Sequence, residues 1–398
     1  MVPQGAILFF YAGRQIMEKM TFYAPSRVHC TFGALGLLRE VRSLVGSRLL
    51  LVTEKELEKS RGLLKIRETA AAEGIELVTF SDINHESTSY SIIEASEMAR
   101  ASKAQGVIGF GGIRALSAAK AVSVGTGYGR KFYNVFNGEP PESPLLPYIE
   151  IPGVFRNPFM LAPLFALTDA RNGRKYILQV ENSQPAVVLI DPEVYGSLPL
   201  SFRFSVLMDT FLESIEGYFS SDADFISDTF LLKSVAMIVS LLPGLRKDPE
   251  NPENLMKAAM AGLSSALGLS RGLTGLGTAC AFEIDHRFAK PHSAVATILL
   301  PYMLEYGLKI HPEKVSRMGP ILGENITGLS VVAAADRVIE TLRASVGGGN
   351  LPGRLSELGL NAENLSTAAE RVTDYPMVRR LPGGMSVEDI YTFLKEAL

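Results

Sequence analysis

Three acidic residues recur at helical spacing in an otherwise apolar segment, MDTFLESIEGY at 208–218. Asp209, Glu213 and Glu216 stand at positions i, i+4 and i+7, so on a helix they share one face. Buried carboxylates this close repel one another and take up protons unless a cation neutralises them. The spacing therefore predicts a site whose chemistry depends on how this negative charge is balanced.

A second segment, GLGTACAFEIDHRFAKPHSAVATILLP at 275–301, adds a histidine to this group. Two carboxylates and an imidazole are ordinary ligands for Fe, Zn and Mn, so we predict that Asp209, Glu213 and His292 bind a divalent metal. Two other interpretations stay open: a cluster satisfied by hydrogen bonds alone, and a site for a cationic or polar ligand. His286 falls in a predicted loop and is interpreted as a surface residue.

A glycine-rich turn, GFGGIRALSAAK at 109–120, follows a predicted strand and opens a predicted helix. The bare amides of Gly111 and Gly112 permit close approach of a diphosphate, and Arg114 in the next turn is a candidate phosphate contact. Glu54 ends the strand LLLVT, where dinucleotide-binding sheets often carry an acid for the adenosine ribose hydroxyls. Its alternative is a solvated acid at the start of the next helix.

Alternating strands and helices position this turn. The apolar runs predict strands at 48–53, 75–80 and 106–110 and helices at 54–73, 88–104 and 114–124. Strand–helix–strand repetition with buried strands predicts an α/β, doubly wound parallel sheet of the Rossmann-like type, with right-handed crossovers. Three further strands are predicted at 148–152, 164–169 and 186–191.

The second half of the chain shows helical periodicity almost throughout. Predicted helices are 201–222, 226–243, 252–269, 292–307, 311–323, 328–346 and 363–374. We therefore predict two domains: an α/β dinucleotide-binding-like domain at 1–195 and an all-helical metal and substrate domain at 196–398. The cleft between them is the expected site.

Composition excludes some classes of function. The formal net charge of -3 gives no electrostatic reason to bind nucleic acid. Two cysteines far apart form no disulfide framework, which suits a reducing cytoplasm. The apolar patch AILFFYAG at 6–13 is shorter than the ~20 residues that span a bilayer, so it is interpreted as an extra edge strand or a tag of ordered chain. We expect a cytoplasmic protein that does not enter membranes.

The order of the motifs resembles the iron-containing (group III) alcohol dehydrogenase family, which is related in fold to glycerol dehydrogenase and dehydroquinate synthase. LLVTE at 50–54 is similar to the family's LLVTD, and GGIRALSAAKA at 111–121 is similar to its GGGSPIDTAKA, with Lys120 retained. GRKYILQVENSQPAVVLIDPEV at 173–194, which contains Lys175, follows the family's KY…P…AIVDPEL pattern. The resemblance runs from about residue 21 to the C-terminus.

This resemblance implies an iron-type alcohol dehydrogenase, or dehydroquinate synthase-like, fold. It also implies a small alcohol or aldehyde substrate, a homodimer, a divalent Fe or Zn ion, and NAD or NADP. The implied cofactor-binding residues are Glu54, Gly111, Gly112, Arg114, Lys120 and Lys175. The carboxylate of Glu54 favours NAD, because it would repel a 2′-phosphate.

Several positions depart from the family. Its metal ligands fall on Asp209, Glu213, Thr278 and His292, so a hydroxyl stands at one ligand position, and its further active-site histidine falls on Phe282. A neutral hydroxyl is a poor ligand and leaves that position to water or substrate.

The family's threonine- and glycine-rich IPTTAGTGSE stretch is replaced by IEIPGVFRNPFM at 149–160, which places Arg156 as a possible anion contact beside Arg114. No catalytic residue is predicted. The chain is interpreted as an NAD(P)-dependent, metal-assisted alcohol or aldehyde oxidoreductase with an altered metal site. The alternatives are a non-catalytic ligand-binding relative and a non-redox enzyme on the same fold.

Overall fold

The computed structural model describes residues 23–83, 87–271, 274–346, 352–378, 381 and 384–398. The edge strand predicted at 6–13 lies outside these residues. The described part divides into a sheet-containing N-terminal half and a helical C-terminal half, in agreement with the predicted fold class.

Eight strands occur among the described residues of the N-terminal half: β1 Arg27–Cys30, β2 Arg48–Thr53, β3 Glu76–Phe80, β4 Gly106–Gly111, β5 Tyr148–Pro152, β6 Leu164–Asp169, β7 Arg174–Gln179 and β8 Val187–Ile190. Six of them form a parallel sheet in the order β1-β8-β5-β4-β2-β3. β6 and β7 instead pair as an antiparallel hairpin. The predicted strands are confirmed, whereas β1 and β7 were not predicted.

In the described part of this half, four helices accompany the sheet: α1 Leu38–Val45, α2 Arg61–Ala72, α3 Ser89–Ala101 and α4 Ile113–Tyr128. The central strands β2 and β4 are buried almost throughout, as expected for parallel strands covered on both faces. A Cβ at Gly109 would lie 2.7 Å from the Cβ of Ala119, so a glycine there lets α4 pack closely on β4. This packing fixes the start of α4 at the carboxyl edge of the sheet.

Ten helices form the C-terminal half of the described chain: α5 Pro192–Gly196, α6 Leu200–Phe219, α7 Phe225–Lys247, α8 Pro252–Gly268, α9 Leu276–Phe288, α10 His292–Ile310, α11 Pro312–Arg317, α12 Val331–Val346, α13 Ala362–Val372 and α14 Val387–Glu396. The seven predicted helices are confirmed with shifted ends; α5, α9 and α14 were not predicted. The predicted loop at His286 is wrong, because this residue lies in α9. The first turns of α9 are buried on all sides and show no amphipathic period.

α6 is the central helix of this half and is buried along nearly its whole length, packed against α7, α9 and α10. A helix that is apolar on all sides belongs in a core, so its three acids are interior residues. Among the described residues, α7 alone is long and apolar enough to cross a membrane by length and composition. Core helices of soluble proteins meet the same criterion.

Candidate functional site

A cleft of about 420 Å³ lies where the carboxyl edge of the sheet faces the helical half. Ligands of open parallel sheets bind at this edge, and the volume falls within the usual range for small-molecule sites. The polar and glycine residues of its lining include Glu54, Gly111, Gly112, Arg114, Arg156, Asp209, Asp285 and His292. The cleft thus brings most of the predicted site residues together, with the glycine turn and the acidic cluster both on its wall.

The glycine turn is open toward the cleft. Gly111 has φ +142, a conformation that side chains disfavour. A Cβ on Gly112 would have only one heavy atom within 4 Å, an oxygen of Glu54 at 3.9 Å. The residue that caps α4 is Gly112 itself, which has no side chain to bond the first N–H groups of the helix. The turn therefore offers the unobstructed backbone that an anion needs at a helix N-terminus.

Glu54 lies beside this turn. Its side chain is 14% exposed, one oxygen is 3.6 Å from Nε of Arg114, and it accepts a hydrogen bond from the backbone N–H of Ala115. Burial raises the pKa of the Glu54 carboxyl, and Arg114 acts in the opposite direction. The structure does not support the interpretation of Glu54 as a solvated acid. It adjoins the glycine turn. An acid that binds the ribose hydroxyls of a dinucleotide would lie in this position if the diphosphate were bound at the turn.

Lys120 does not line the cleft. Its buried ammonium donates to the backbone carbonyls of Phe159 at 2.5 Å, Ala162 at 3.0 Å and Leu164 at 3.2 Å. Burial lowers the pKa of Lys120 to about 8, while the nearby Glu150 raises it. The expected cofactor contact is therefore corrected: this lysine fastens the segment that follows β5, because three carbonyls share its charge.

Lys175 lies on β7 and reaches a small side cavity rather than the main cleft. Its ammonium is 5.6 Å from the ring centroid of Phe282. The same cavity is lined by Arg114, Asp285 and His292, which also line the main cleft. Lys175 therefore lies near both the glycine turn and the acidic cluster, but it does not line the main cleft itself.

The acidic cluster assembles across two helices. Asp209 and Glu213 come from consecutive turns of α6, and His292 is the first residue of α10. One ligand atom from each residue lies within 4.8 Å of the others, a group able to hold a metal ion by residue type and spacing. All three side chains are buried.

The guanidinium of Arg156 lies among these three residues. Its Nε is 3.1 Å from Oδ2 of Asp209 and 2.9 Å from Oε1 of Glu213. Its Nη2 is 2.6 Å from the same Glu213 oxygen and 2.7 Å from Nε2 of His292. Arg156 is 5% exposed, so a buried positive charge balances the buried acids.

The pKa values follow from burial and from this contact. Burial raises the pKa of Asp209 to about 6 and that of Glu213 to about 8, and Arg156 lowers both. Burial and Arg156 together hold the pKa of His292 well below its ordinary value. The imidazole is therefore neutral, and its Nε2 accepts a hydrogen bond from Nη2 of Arg156.

A metal ion and Arg156 do not fit here together. Metal–oxygen and metal–nitrogen bonds are about 2.0–2.2 Å long, so an ion bound by all three residues would need the space between them that the guanidinium fills. A divalent charge about 3 Å from the guanidinium would add repulsion on the order of 10 kcal/mol at an effective dielectric constant of about 20. As the residues stand, they hold a guanidinium.

Glu216, the third acid of α6, belongs to a different arrangement. Its carboxylate accepts hydrogen bonds from the backbone N–H groups of Gly275, Gly277 and Thr278 at the start of α9. The hydroxyl of Thr278 donates to it at 2.5 Å. Burial raises the pKa of Glu216 to about 7, and the bonds from Thr278 and its neighbours lower it. Thr278 therefore serves Glu216 and takes no part in the cluster around Arg156.

Phe282 closes one side of that cluster. Its ring centroid lies 4.6 Å from that of His292 in an edge-to-face arrangement and 5.7 Å from the guanidinium carbon of Arg156. His286, elsewhere on α9, has Nε2 2.9 Å from the carbonyl oxygen of Gly173 and does not line the cleft. An aromatic face beside a guanidinium is a favourable cation–π contact, so Phe282 suits an arginine centre.

The place of Arg156 differs from the prediction. The sequence indicated a possible anion contact, whereas in the structure Arg156 lies between two carboxylates. The available signal was the charge imbalance of the α6 acids, which requires a cation, together with an arginine inside the apolar run IPGVFRNPFM. The distance of over 50 residues along the chain hid the pairing.

The fold and cleft define a class of protein. The structure is similar to that of an alcohol dehydrogenase from Oenococcus oeni, with a TM-score of 0.87 and 22% identity; the alignment covers 95% of this chain and 100% of that one. Such a parallel sheet followed by a helical half is the fold of iron-type alcohol dehydrogenases.

The chain belongs to the iron-containing alcohol dehydrogenase family. Residues 25–192 match the profile described as iron-containing alcohol dehydrogenase, and residues 205–398 match that of the family's C-terminal part. The NAD-dependent methanol dehydrogenase of Bacillus methanolicus is 21% identical over 91% of this chain and 96% of its own length. The lactaldehyde reductase of Escherichia coli K12 is 23% identical over 95% and 98%.

Proposed function

We propose that this chain is an NAD-dependent oxidoreductase that interconverts a small alcohol and its aldehyde in the cleft, at a metal site altered by Arg156. The observation that carries the proposal is that one cleft is lined by both the open glycine turn and the cluster of Asp209 and His292. The similarity of the chain to a methanol dehydrogenase and a lactaldehyde reductase supports this class of reaction.

The cofactor would lie along the carboxyl edge of the sheet. Gly111 and Gly112 leave room for its diphosphate at the start of α4, and Arg114 supplies a positive charge there. Glu54 would accept the ribose hydroxyls and disfavour a 2′-phosphate. When bound, the nicotinamide supplies or accepts the hydride, while the protein orients the reactants and excludes water.

The substrate would occupy the part of the cleft near His292, Asp285 and Val154. Burial lowers the pKa of Arg156, but the negative charges of Asp209 and Glu213 raise it by a larger amount. The guanidinium therefore stays charged and donates no proton. The proton that the reaction exchanges would pass to or from water in the cleft, because His292 is held neutral with its Nε2 engaged.

Titration of the purified chain with NADH, followed by nicotinamide fluorescence, tests the cofactor assignment. We expect micromolar binding that Glu54→Ala weakens about tenfold, the effect of one lost charged hydrogen bond. The same substitution should reduce discrimination against NADPH. Glu56→Ala, an exposed acid two residues away, is the matched control and should leave both values unchanged.

Turnover of short alcohols and aldehydes with NAD or NADH tests the reaction. Binding of NADH without turnover of any of them would favour the non-catalytic relative instead. If NADH does not bind at all, the oxidoreductase proposal fails. We also expect a cytoplasmic homodimer, which light scattering of the purified chain and fractionation of the source cells would check.

A further inference from the structure

We infer that the guanidinium of Arg156 takes the place of the divalent metal in this chain, so that Asp209, Glu213 and His292 form a latent metal site which the native protein keeps closed. The inference concerns the resting protein. It does not depend on the proposed reaction, because metal content is measured without substrate or cofactor.

The first support is that one potential ligand atom from each of the three residues already lies against the guanidinium. Oδ2 of Asp209, Oε1 of Glu213 and Nε2 of His292 each have a guanidinium nitrogen within 3.1 Å. An ion would have to displace Arg156 from all of them at once. The planar guanidinium, with its several N–H donors, matches such a converging set of acceptors.

The second support is that Arg156 cannot readily withdraw. The next residue, Asn157, donates to Glu150 at 2.7 Å and accepts from the N–H of Phe159 at 3.0 Å. On the other side the ring of Phe155 stacks on Tyr195 with centroids 4.5 Å apart. Because both neighbours are buried and anchored, the arginine is held in the cluster by its own backbone.

The segment after Asn157 is fixed as well. Lys120 binds three of its carbonyl groups, as described above. A Cβ on Gly262 of α8 would lie 2.1 Å from the carbonyl oxygen of Phe155, so this helix packs directly on the backbone that carries Arg156. The positive charge of Arg156 is therefore part of the folded chain, so the two acids need no metal ion from solution to balance them.

The third support is that the guanidinium still has a donor to offer. Nε and Nη2 make all the contacts of Arg156 with the cluster, and the residue lines the cleft. Nη1 makes no hydrogen bond with the part of the chain that the structure describes. It is placed to bind a carbonyl or hydroxyl oxygen of a ligand in the cleft.

Metal content and cobalt binding test the inference. The wild-type chain and Arg156→Ala are produced with added iron and zinc, purified without chelator, and analysed for metal by mass spectrometry. We expect essentially none in the wild type and about one equivalent in Arg156→Ala, because its three side chains are then free to coordinate. Titration with Co²⁺ should give visible d–d bands and a rise in Tm for Arg156→Ala, with affinity at least about 100-fold above that of the wild type.

Two variants control the experiment. Arg156→Lys keeps a cation in the cluster and should stay metal-free. The triple variant Arg156→Ala, Asp209→Asn, Glu213→Gln lacks two ligands and should lose the cobalt bands. If Arg156→Ala does not fold, Arg156→Ala with Glu213→Gln removes one charge of each sign and should still gain cobalt binding. One equivalent of metal in the wild type that Asp209→Asn with Glu213→Gln abolishes, or no gain when Arg156 is removed, would overturn the inference.

Discussion

The negative charges of the three buried acids of α6 are balanced at two sites and in different ways. Asp209 and Glu213 face the guanidinium of Arg156, whereas Glu216, one turn further along α6, faces the first N–H groups of α9. In the first case a point charge from a distant segment supplies the balance, and in the second it comes from oriented backbone dipoles. A run of acids at helical spacing thus contains two sites of different character.

The two sites also differ in access. Asp209 and Arg156 line the cleft, while Glu216 does not. The second site is closed because the backbone of α9 packs directly against the carboxylate of Glu216. A Cβ at Gly277 would lie 2.9 Å from Oε1 of Glu216. A side-chain cation therefore leaves potential metal ligands beside a cavity, whereas the start of α9 binds both carboxylate oxygens of Glu216 through hydrogen bonds.

The largest effect should come from removing the side-chain cation. Arg156→Ala leaves two buried carboxylates without a partner, and we expect the free energy of unfolding to fall by about 3–5 kcal/mol in metal-free buffer. Urea denaturation measures it, with Arg156→Lys as the charge-retaining control. A loss below about 1 kcal/mol would show that the acids do not need this cation.

Removing the acid of the second site should cost nearly as much. Glu216→Ala leaves the N–H groups of Gly275, Gly277 and Thr278 buried without acceptors, so we expect a loss of about 2–4 kcal/mol in the same denaturation assay. Glu370→Ala, at an exposed position of α13, is the control. Added Co²⁺ should not rescue Glu216→Ala; if it did, the distinction between the two sites would be lost.

The anchor of the Arg156 segment should have an intermediate effect. Lys120→Met leaves the carbonyls of Phe159, Ala162 and Leu164 without their shared donor, and we expect a loss of about 2–3 kcal/mol. Cobalt titration adds a second measurement, since Arg156 itself remains in the cluster and should still exclude the ion. Strong cobalt binding by this variant would mean that Arg156 excludes the ion only while Lys120 anchors its segment.

The smallest effect is expected at Thr278. Thr278→Val removes one hydroxyl bond to Glu216 but keeps the backbone bonds, so thermal unfolding should show a loss of about 1 kcal/mol. Cobalt binding by Arg156→Ala should be the same with or without this second substitution. Weaker binding in the double variant would return Thr278 to the metal site, where the resemblance to the family places it.

Much of the fold could be predicted from the chain alone. Strands such as RLLLVT at 48–53 are continuous apolar runs, and the turn GFGG marks where α4 begins, because local pattern and turn chemistry act over a few residues. The helix α9 was missed since its first turns are buried on every side and carry no period. The strand β7 was missed because its sequence, RKYILQ, mixes charged and apolar residues and only one of its side chains is fully buried.

The sequence by itself determined that Asp209, Glu213 and Glu216 would share one buried helix face and would need their charge balanced, because helical spacing and the cost of burying charge are local properties. Only the tertiary structure decided how. Arg156 and the start of α9 lie more than 50 residues from these acids along the chain, and packing brought a guanidinium to one pair and backbone N–H groups to the third. Such long-range partners depend on the whole fold, and no spacing within α6 specifies them.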